Sequence, residues 1–106
     1  MKVIFDVDGT LIRWTDGWEA NQPVLDLLWA LVFAGHEVHV ASHGGFKYAQ
    51  DCCLRLGISA AVTVVEKDEN DVMLAQGYDL CLDDDPSVRF APIVLRVEDG
   101  HEEREG

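Results

Sequence analysis

The sequence predicts a single α/β domain built on a five-stranded, mostly parallel sheet flanked by helices. Short apolar runs rich in β-branched residues recur along the chain, which is typical of strands buried on both faces of a parallel sheet. Segments with helical patterns separate these runs, and this alternation favours right-handed crossovers between parallel strands. The predicted strands are VIF (3–5), VHVA (38–41), VTVV (62–65), LCL (80–82) and IVL (93–95).

The first two helical segments carry recognisable start and stop signals. The segment 22–34 has Pro23 in its first turn and is followed by Gly35. Proline is favoured in the first turn of a helix, and glycine is favoured in the left-handed conformation that ends one. The segment 45–56 is followed by Gly57, which closes it in the same way. One face of this second helix is expected to carry Phe46, Ala49, Cys53 and Leu56.

The later helical segments are shorter. The third is predicted at 68–76, with Asp68 as its N-cap and Gly77 at its end. A short turn or helix is expected at Pro86, with Asp85 capping it. The helices and strands therefore alternate along the chain up to the fifth strand.

Only one long connection lacks a regular pattern. Residues 9–21 are expected to form a small flap or hairpin, with TDGW (15–18) as its turn. The predicted domain covers residues 1–97, and the acidic stretch 98–106 is expected to be a disordered tail.

Composition limits the kinds of partner and the cellular compartment. The chain has 106 residues, enough for one domain, and its net charge is −12. Such an acidic chain is a poor match for broad binding to a nucleic-acid backbone, which relies on Lys and Arg, but it suits a divalent cation. Cys52, Cys53 and Cys81 have no zinc-binding spacing and are expected to be reduced, mostly buried thiols. The apolar run in MKVIFDVDG is too short for a signal peptide or a membrane span, so we expect a cytoplasmic protein that does not bind membranes.

Polar and charged residues follow four of the five predicted strands. Because ligands of open parallel sheets bind beyond the carboxyl ends of the strands, these residues are expected to converge on one site. They are Asp6 and Asp8 after the first strand, Ser42 after the second, Glu66 and Lys67 after the third, and Asp83, Asp84 and Asp85 after the fourth.

This set of residue types suits phosphoryl transfer. Carboxylates gathered at one edge repel one another unless a hard cation such as Mg²⁺ lies among them. Asp6 could attack phosphorus as the nucleophile, and Asp8 could give a proton to the leaving oxygen and later take one from water. Ser42 could hydrogen-bond a phosphoryl oxygen, and Lys67 could offset the negative charge. The predicted metal ligands are Asp6, Asp8, Asp83 and Asp84.

The same residues resemble the motifs of the haloacid dehalogenase (HAD) superfamily over nearly the whole chain. DVDGT at 6–10 matches the first motif, DxDG[TV], and VHVAS matches a strand that ends in the Ser or Thr of the second motif. Lys67 is the best match for the lone lysine of the third, and LCLDD matches the paired acids of the fourth.

The resemblance implies a Rossmann-like fold and Mg²⁺-dependent phosphoryl transfer through an aspartyl-phosphate. An Asp at position 8 is similar to the phosphatases of the superfamily rather than to its dehalogenases or transport ATPases. By the same resemblance, Asp84 would bind the metal and Asp83 would orient Lys67 or a water. The usual insertion points for a cap domain, 9–21 and the stretch between Ser42 and Lys67, hold only a flap and one helix, which implies a capless member.

Several alternatives remain at this stage. LDDDPSV is also similar to the DDRP.V pattern of polynucleotide kinase-phosphatases, which indicates a nucleotide or nucleic-acid phosphate end as the substrate, beside a phosphorylated small molecule. The basic residue that often follows the second motif is replaced by SHGG, so His43 or Lys47 would substitute for it. Lys47 is the rival of Lys67, and the third acid, Asp85, is a rival metal ligand. The rival functions are a module that binds Mg²⁺ and phosphate without turnover, and a phosphotransferase.

Overall fold

The computed structural model describes residues 1–14 and 17–98 and has a Rossmann-like α/β architecture. Its five strands form one sheet in the order β3-β2-β1-β4-β5, and all neighbouring pairs are parallel. The strands are β1 (Lys2–Asp6), β2 (Glu37–Ala41), β3 (Thr63–Val64), β4 (Leu80–Asp83) and β5 (Ile93–Arg96). The predicted α/β class and the five strand positions are thereby confirmed.

Both faces of the sheet are covered, because successive strand residues point to opposite sides. On β1, Val3 and Phe5 belong to the larger apolar cluster, which includes residues of the first two helices, whereas Ile4 belongs to a second cluster. Cys81 of β4 joins Ile4 in that second cluster, which also contains Phe90. Burial on both faces explains why the strands are continuous apolar runs in the sequence.

Two of the predicted helices form nearly as expected. The first, α1, spans Gln22–Phe33 with a proline in its first turn, and Gly35 follows it at a φ of 90°. The second, α2, spans Phe46–Leu56 and ends at Gly57, whose φ is 77°. Its buried residues are Ala49, Cys52 and Cys53, and Leu56 packs partly buried against the same core, so the predicted face is confirmed except at Phe46, which is 39% exposed.

The predictions for the two later segments were less accurate. The third helix, α3, spans only Asn70–Leu74, and its N-cap position is Glu69 rather than Asp68. The carboxylate of Asp68 instead accepts a hydrogen bond from the amide of Glu69. After Pro86 the chain makes a turn, because Asp85 accepts hydrogen bonds from the amide and the hydroxyl of Ser87. Asp85 therefore closes a local turn and caps no helix.

The connection between β1 and α1 is partly paired. Ile12 forms isolated bridges with Asp8 and with Ala20, and the amide of Asn21 donates to the carbonyl of Leu11. This pairing agrees with a small hairpin. Thr15 and Asp16 of the predicted TDGW turn, and all but the first residue of the predicted tail 98–106, lie outside the described residues.

Within residues 1–14 and 17–98, no helix has the length and apolar content that a membrane span would need. Cys52, Cys53 and Cys81 are free and buried, as predicted. Burial raises the pKa of Cys53 to about 11, and burial together with Asp83 raises the pKa of Cys81 to about 12. These thiols are therefore kept protonated and unreactive near neutral pH.

Candidate active site

The candidate site lies where β1 and β4 end side by side. The chain runs from β1 outward through β2 and β3, and then returns to the other side of β1 as β4 and β5. Such a topological switch point leaves a crevice beyond the carboxyl ends of the two central strands. Phe5 pairs with Leu82 across these strands. The next residues along each strand, Asp6 and Asp83, are therefore neighbours at the edge of the crevice.

Lys67 connects the two aspartates. Its ammonium Nζ lies 2.7 Å from Oδ1 of Asp6 and 2.9 Å from Oδ2 of Asp83. Its side chain is only 2% exposed, and the carboxylate side chains of Asp6 and Asp83 are also buried, at 6% and 2% exposed. Burial alone would lower the pKa of Lys67, but the two carboxylates raise it overall. Lys67 is therefore a permanent cation that holds two buried acids together.

Asp6 is the more perturbed acid of the pair. Burial, and after it the nearby Asp83 carboxylate, raises the pKa of Asp6 to about 7, although Lys67 acts in the opposite direction. The hydroxyl of Thr10 donates to Oδ2 of Asp6 at 3.1 Å, so both carboxylate oxygens are held. Burial also raises the pKa of Asp83, whose Oδ1 accepts the amide of Asp85 at 3.0 Å. Each side chain is thus fixed in orientation before any ligand arrives.

A third carboxylate completes an acidic cluster. One oxygen each from Asp6, Asp83 and Asp84 lies within 4.8 Å of the other two. Three carboxylate oxygens at this spacing are the hard donors that Mg²⁺ prefers, and they leave coordination positions for water or a phosphoryl oxygen. The three residues could therefore hold a metal ion. Three of the four predicted metal ligands are brought together in this way.

Asp84 is held from the opposite side by the β1–α1 connection. The indole Nε1 of Trp14 donates to Oδ2 of Asp84 at 2.8 Å. The close approach depends on Gly9, because a Cβ at that position would collide with both side chains. Gly9 also has a φ of 81°, a conformation that L side chains rarely adopt. The glycine of the DVDGT motif is thereby explained by sterics at the site.

Asp8, the fourth predicted metal ligand, is not part of this cluster. Its Oδ1 accepts a hydrogen bond of 2.6 Å from the phenol of Tyr48, which lies in the first turn of α2. Burial and the contact with Asp8 raise the pKa of Tyr48 above its usual value, so the phenol stays protonated and donates. The Tyr48 ring packs against Gly44, where a Cβ would come within 2.7 Å of it.

Ser42 lies at the end of β2 and is buried. Its Oγ accepts the amide of Gly44 at 3.0 Å, as in a local turn. That bond uses a lone pair of the oxygen and leaves the hydroxyl proton available for an acceptor in the crevice. His43, the next residue, lines the same crevice.

The rivals identified from the sequence have other surroundings. Lys47 forms an exposed i,i+4 ion pair with Asp51, and its side chain is 83% exposed. Asp85 lines the crevice, but its carboxylate bonds to Ser87, which lowers its pKa. Of the two lysines, Lys67 is the one that contacts the candidate nucleophile.

The candidate site residues surround an open cleft of about 460 Å³. The cleft brings together all six predicted site residues with other side chains from β5 and the loops. Its lining consists of Asp6, Asp8, Trp14, Ser42, His43, Lys67, Asp83, Asp84, Asp85, Pro86 and Arg96.

Three features of the cleft were not anticipated. The Tyr48–Asp8 bond joins residues whose contact no local pattern indicates. The indole N–H of Trp14 bonds to Asp84, a contact between the predicted flap and the acidic cluster that the sequence did not indicate. Arg96 ends β5, and the strand-end reasoning applied to the first four strands would have found it.

Comparison with known proteins gives no relative for this chain. No family model matches it, and neither a curated protein nor a solved structure does so. Interpretation of the site therefore depends on its own geometry and chemistry.

Proposed function

We propose that the protein is a Mg²⁺-dependent phosphohydrolase of the haloacid dehalogenase type that acts through an aspartyl-phosphate on Asp6. The observation that carries the proposal is the arrangement of Lys67 between Asp6 and Asp83, with Asp84 within metal-bridging distance of both acids. An ion pair that served only stability would not require a third carboxylate beside it. The cleft in front of the pair is open enough to admit a phosphate ester.

The proposed first step transfers the phosphoryl group to the protein. A carboxylate oxygen of Asp6 attacks phosphorus, the bond from phosphorus to the ester oxygen breaks, and Asp8 gives its proton to the departing oxygen. Lys67 and Thr10 keep the Asp6 carboxylate from rotating, so that the attacking oxygen is presented in a fixed direction. The hydroxyl of Ser42 donates to a phosphoryl oxygen.

The second step releases phosphate. Asp8, now a carboxylate, takes a proton from water, whose oxygen attacks phosphorus while the bond from phosphorus to Asp6 breaks. Bound Mg²⁺ would neutralise phosphoryl charge and orient the group, and Asp6, Asp83 and Asp84 would hold it. Tyr48 donates a hydrogen bond to Asp8 and thereby fixes the carboxylate that takes part in both proton transfers.

The surroundings of the site bear on access and compartment. At the two places where superfamily members often carry a cap, the described residues form the partly paired 9–21 connection and α2. We infer a capless, open site that accepts an extended phosphate ester. Three buried free thiols are compatible with a reducing cytoplasm.

The test is phosphate release from an activated aryl phosphate, measured with Mg²⁺ and with chelator. Wild type is expected to release phosphate only with Mg²⁺, and Asp6→Asn is expected to lose at least a hundredfold in kcat. Asp51→Asn makes the same chemical change at an exposed position outside the cleft and should retain activity. Quenched wild-type protein should also carry an acid-stable but hydroxylamine-labile phosphoryl group that Asp6→Asn lacks.

Other outcomes would favour the rival functions. Mg²⁺ binding without release from any ester would contradict the hydrolase and leave a binding module. Formation of new phosphate esters when alcohols or nucleosides are added, at the expense of free phosphate, would identify a phosphotransferase.

A further inference from the structure

A second cleft adjoins the candidate active site on the side of β5. It has a volume of about 390 Å³ and shares three lining residues with the active-site cleft, namely Asp85, Pro86 and Arg96. Its other lining residues are Arg89, Pro92 and Val94. Sheet register explains the proximity, because Arg96 pairs directly with Asp83 across β4 and β5. Neighbouring strands lie about 4.8 Å apart, so Arg96 stands one strand away from the acid that contacts Lys67.

The charge of this second cleft is opposite to that of the chain. Two of the eight basic residues of a protein with a net charge of −12 line it. Asp85 is its only acidic lining residue among those described, and the Asp85 Oδ1 atom already accepts the amide and hydroxyl of Ser87 at 2.9 and 2.7 Å. The lining of this cleft thus carries two positive side chains and one negative side chain.

Neither arginine has its charge neutralised by a carboxylate in the described part of the chain. Arg89 uses one terminal nitrogen, Nη1, to reach the carbonyls of Pro86 and Val88, both at 2.7 Å. The N–H groups of its Nη2 and Nε are available to donate to a further acceptor. The guanidinium N–H groups of Arg96 are available in the same way. Guanidinium groups of this kind bind phosphate oxygens in pairs.

The segment that carries Arg89 is fixed in place. Asn70 of α3 receives the amide of Arg89 on its Oδ1 at 2.7 Å and donates its Nδ2 to the carbonyl of Ser87 at 3.0 Å. This pair of bonds clamps the loop after β4. Pro86, Pro92 and Val94 add an apolar part to the lining of the second cleft. The arrangement offers an anion site with an apolar approach.

We propose that Arg96 and Arg89 form a subsite for a second phosphate of the substrate, so that the preferred substrate is a phosphomonoester that carries another phosphate on the same molecule. The inference rests on the proposed function, because Asp6 must act on the first phosphate. Two guanidinium groups match one additional phosphate, and the acidic remainder of the protein does not favour a long nucleic-acid backbone. A nucleoside 3′,5′-bisphosphate and a dinucleotide with a terminal monophosphate both have this chemistry.

The test compares kcat/KM for three substrates between wild type and variants that lack one of the two arginines. They are a nucleoside monophosphate, the corresponding nucleoside 3′,5′-bisphosphate and a dinucleotide with a terminal monophosphate. Wild type should prefer the bisphosphate, the dinucleotide or both over the monophosphate by about tenfold or more, a difference equivalent to about 1.4 kcal/mol. Arg96→Gln should reduce that preference to twofold or less. Which substrate is preferred distinguishes a small bisphosphate from a nucleic-acid end.

Two further variants keep the experiment decisive. Lys2→Gln removes one positive charge at the first residue of β1, at the amino ends of the strands and away from both clefts, and should retain the full preference. Arg89→Gln should reduce it, and serves as the second test if Arg96→Gln does not fold. An equal rate on all three substrates, or a preference that survives both arginine substitutions, would overturn the subsite while leaving the phosphatase intact.

Failure of the proposed function would be recognised separately. If wild type hydrolyses none of the substrates, equilibrium binding of the bisphosphate and the monophosphate is measured by calorimetry in the presence of Mg²⁺. Tighter binding of the bisphosphate that Arg96→Gln abolishes would support the anion subsite without catalysis. Equal binding of the two nucleotides would overturn it.

Discussion

The phenol oxygen of Tyr48 lies 2.6 Å from Oδ1 of Asp8, across 40 residues of sequence. The bond joins the first turn of α2 to the loop that follows β1, and it fixes the carboxylate to which we assign both proton transfers. Tyr48→Phe removes the hydroxyl and keeps the ring that packs on Gly44. Loss of this bond frees Asp8 to rotate away from the leaving oxygen.

We therefore expect Tyr48→Phe to lower kcat by about tenfold on an alkyl phosphate, whose leaving group needs a proton, since general acid catalysis contributes 10²–10⁴-fold. A nitrophenyl phosphate, which departs without a proton, should be affected less, and KM should change little for either. Tyr78→Phe is the matched control, because the Tyr78 hydroxyl bonds to His39 rather than to a residue of the cleft. Equal losses on both esters would contradict a role in positioning the acid.

The fold and much of the site were predictable because they depend on local patterns and one topological rule. Continuous apolar runs identified the five strands, and the parallel arrangement sends every strand's carboxyl end to one edge, where Asp6, Ser42, Lys67 and Asp83 meet. The limits of α3 were missed because Asp68 bonds to the next amide in the chain instead of capping the helix. Local sequence offers both of these bonds to an aspartate, and tertiary packing decides between them.

Contacts made by long side chains across the site were not predictable in the same way. The Tyr48–Asp8 bond depends on how closely α2 approaches the carboxyl ends of the strands, and the Trp14–Asp84 bond depends on the same approach by the β1–α1 connection. Hydrophobic periodicity in the sequence does not indicate these distances. Asp8 accepts the first of these bonds and lies outside the acidic cluster. Arg96 differs, because its position at the end of β5 was visible in the sequence.

Replacing Lys67 should affect both stability and activity. Lys67→Met retains the length of the side chain but leaves two buried carboxylates without their cation, and breaking a buried pair by removing one partner costs about 3–5 kcal/mol. We expect the free energy of unfolding in chelator to fall by about that amount at pH 8, and by less at pH 5, where the carboxyls can take up protons. Phosphate release should fall at least a hundredfold.

The control for this substitution is Lys47→Met, which removes an exposed i,i+4 ion pair. Such pairs contribute about 0.5 kcal/mol or less. Urea unfolding of the two variants beside wild type would measure the difference. Similar losses of stability in both variants would contradict the structural role of Lys67.

Stability of the metal-free protein should decrease as the pH rises. Burial and Asp83 raise the pKa of Asp6 in the folded protein to about 7 from 3.8, and the pKa of Asp83 is raised as well. Between pH 4 and 7 the folded state therefore binds more protons than the unfolded state, so the free energy of unfolding falls with rising pH, by on the order of 1 kcal/mol per pH unit.

Urea unfolding in chelator at pH 5, 6, 7 and 8 would measure this slope. Asp6→Asn should flatten it, because the amide does not titrate in this range. Mg²⁺ at saturating concentration should raise the stability most at pH 8, where the acidic cluster is ionised. A free energy of unfolding that stays constant or rises between pH 5 and 7 in chelator would rule out the proposed protonation of the buried acids.

Gly9 is expected to tolerate no side chain, because its Cβ would collide with Asp84 and the Trp14 indole and because its φ is 81°. Gly35 has a similar φ of 90° but faces open space, so Gly35→Ala measures the backbone strain alone. We expect Gly35→Ala to cost about 1 kcal/mol and Gly9→Ala to cost clearly more, with a weakened Mg²⁺ affinity in addition, since the Asp84 carboxylate must move. Urea unfolding and Mg²⁺ titration of the two variants provide the comparison. If Gly9→Ala matched Gly35→Ala in stability and bound Mg²⁺ as wild type does, the glycine would be required only for its backbone conformation, and the close packing of Trp14 on Asp84 would have no part in shaping the metal site.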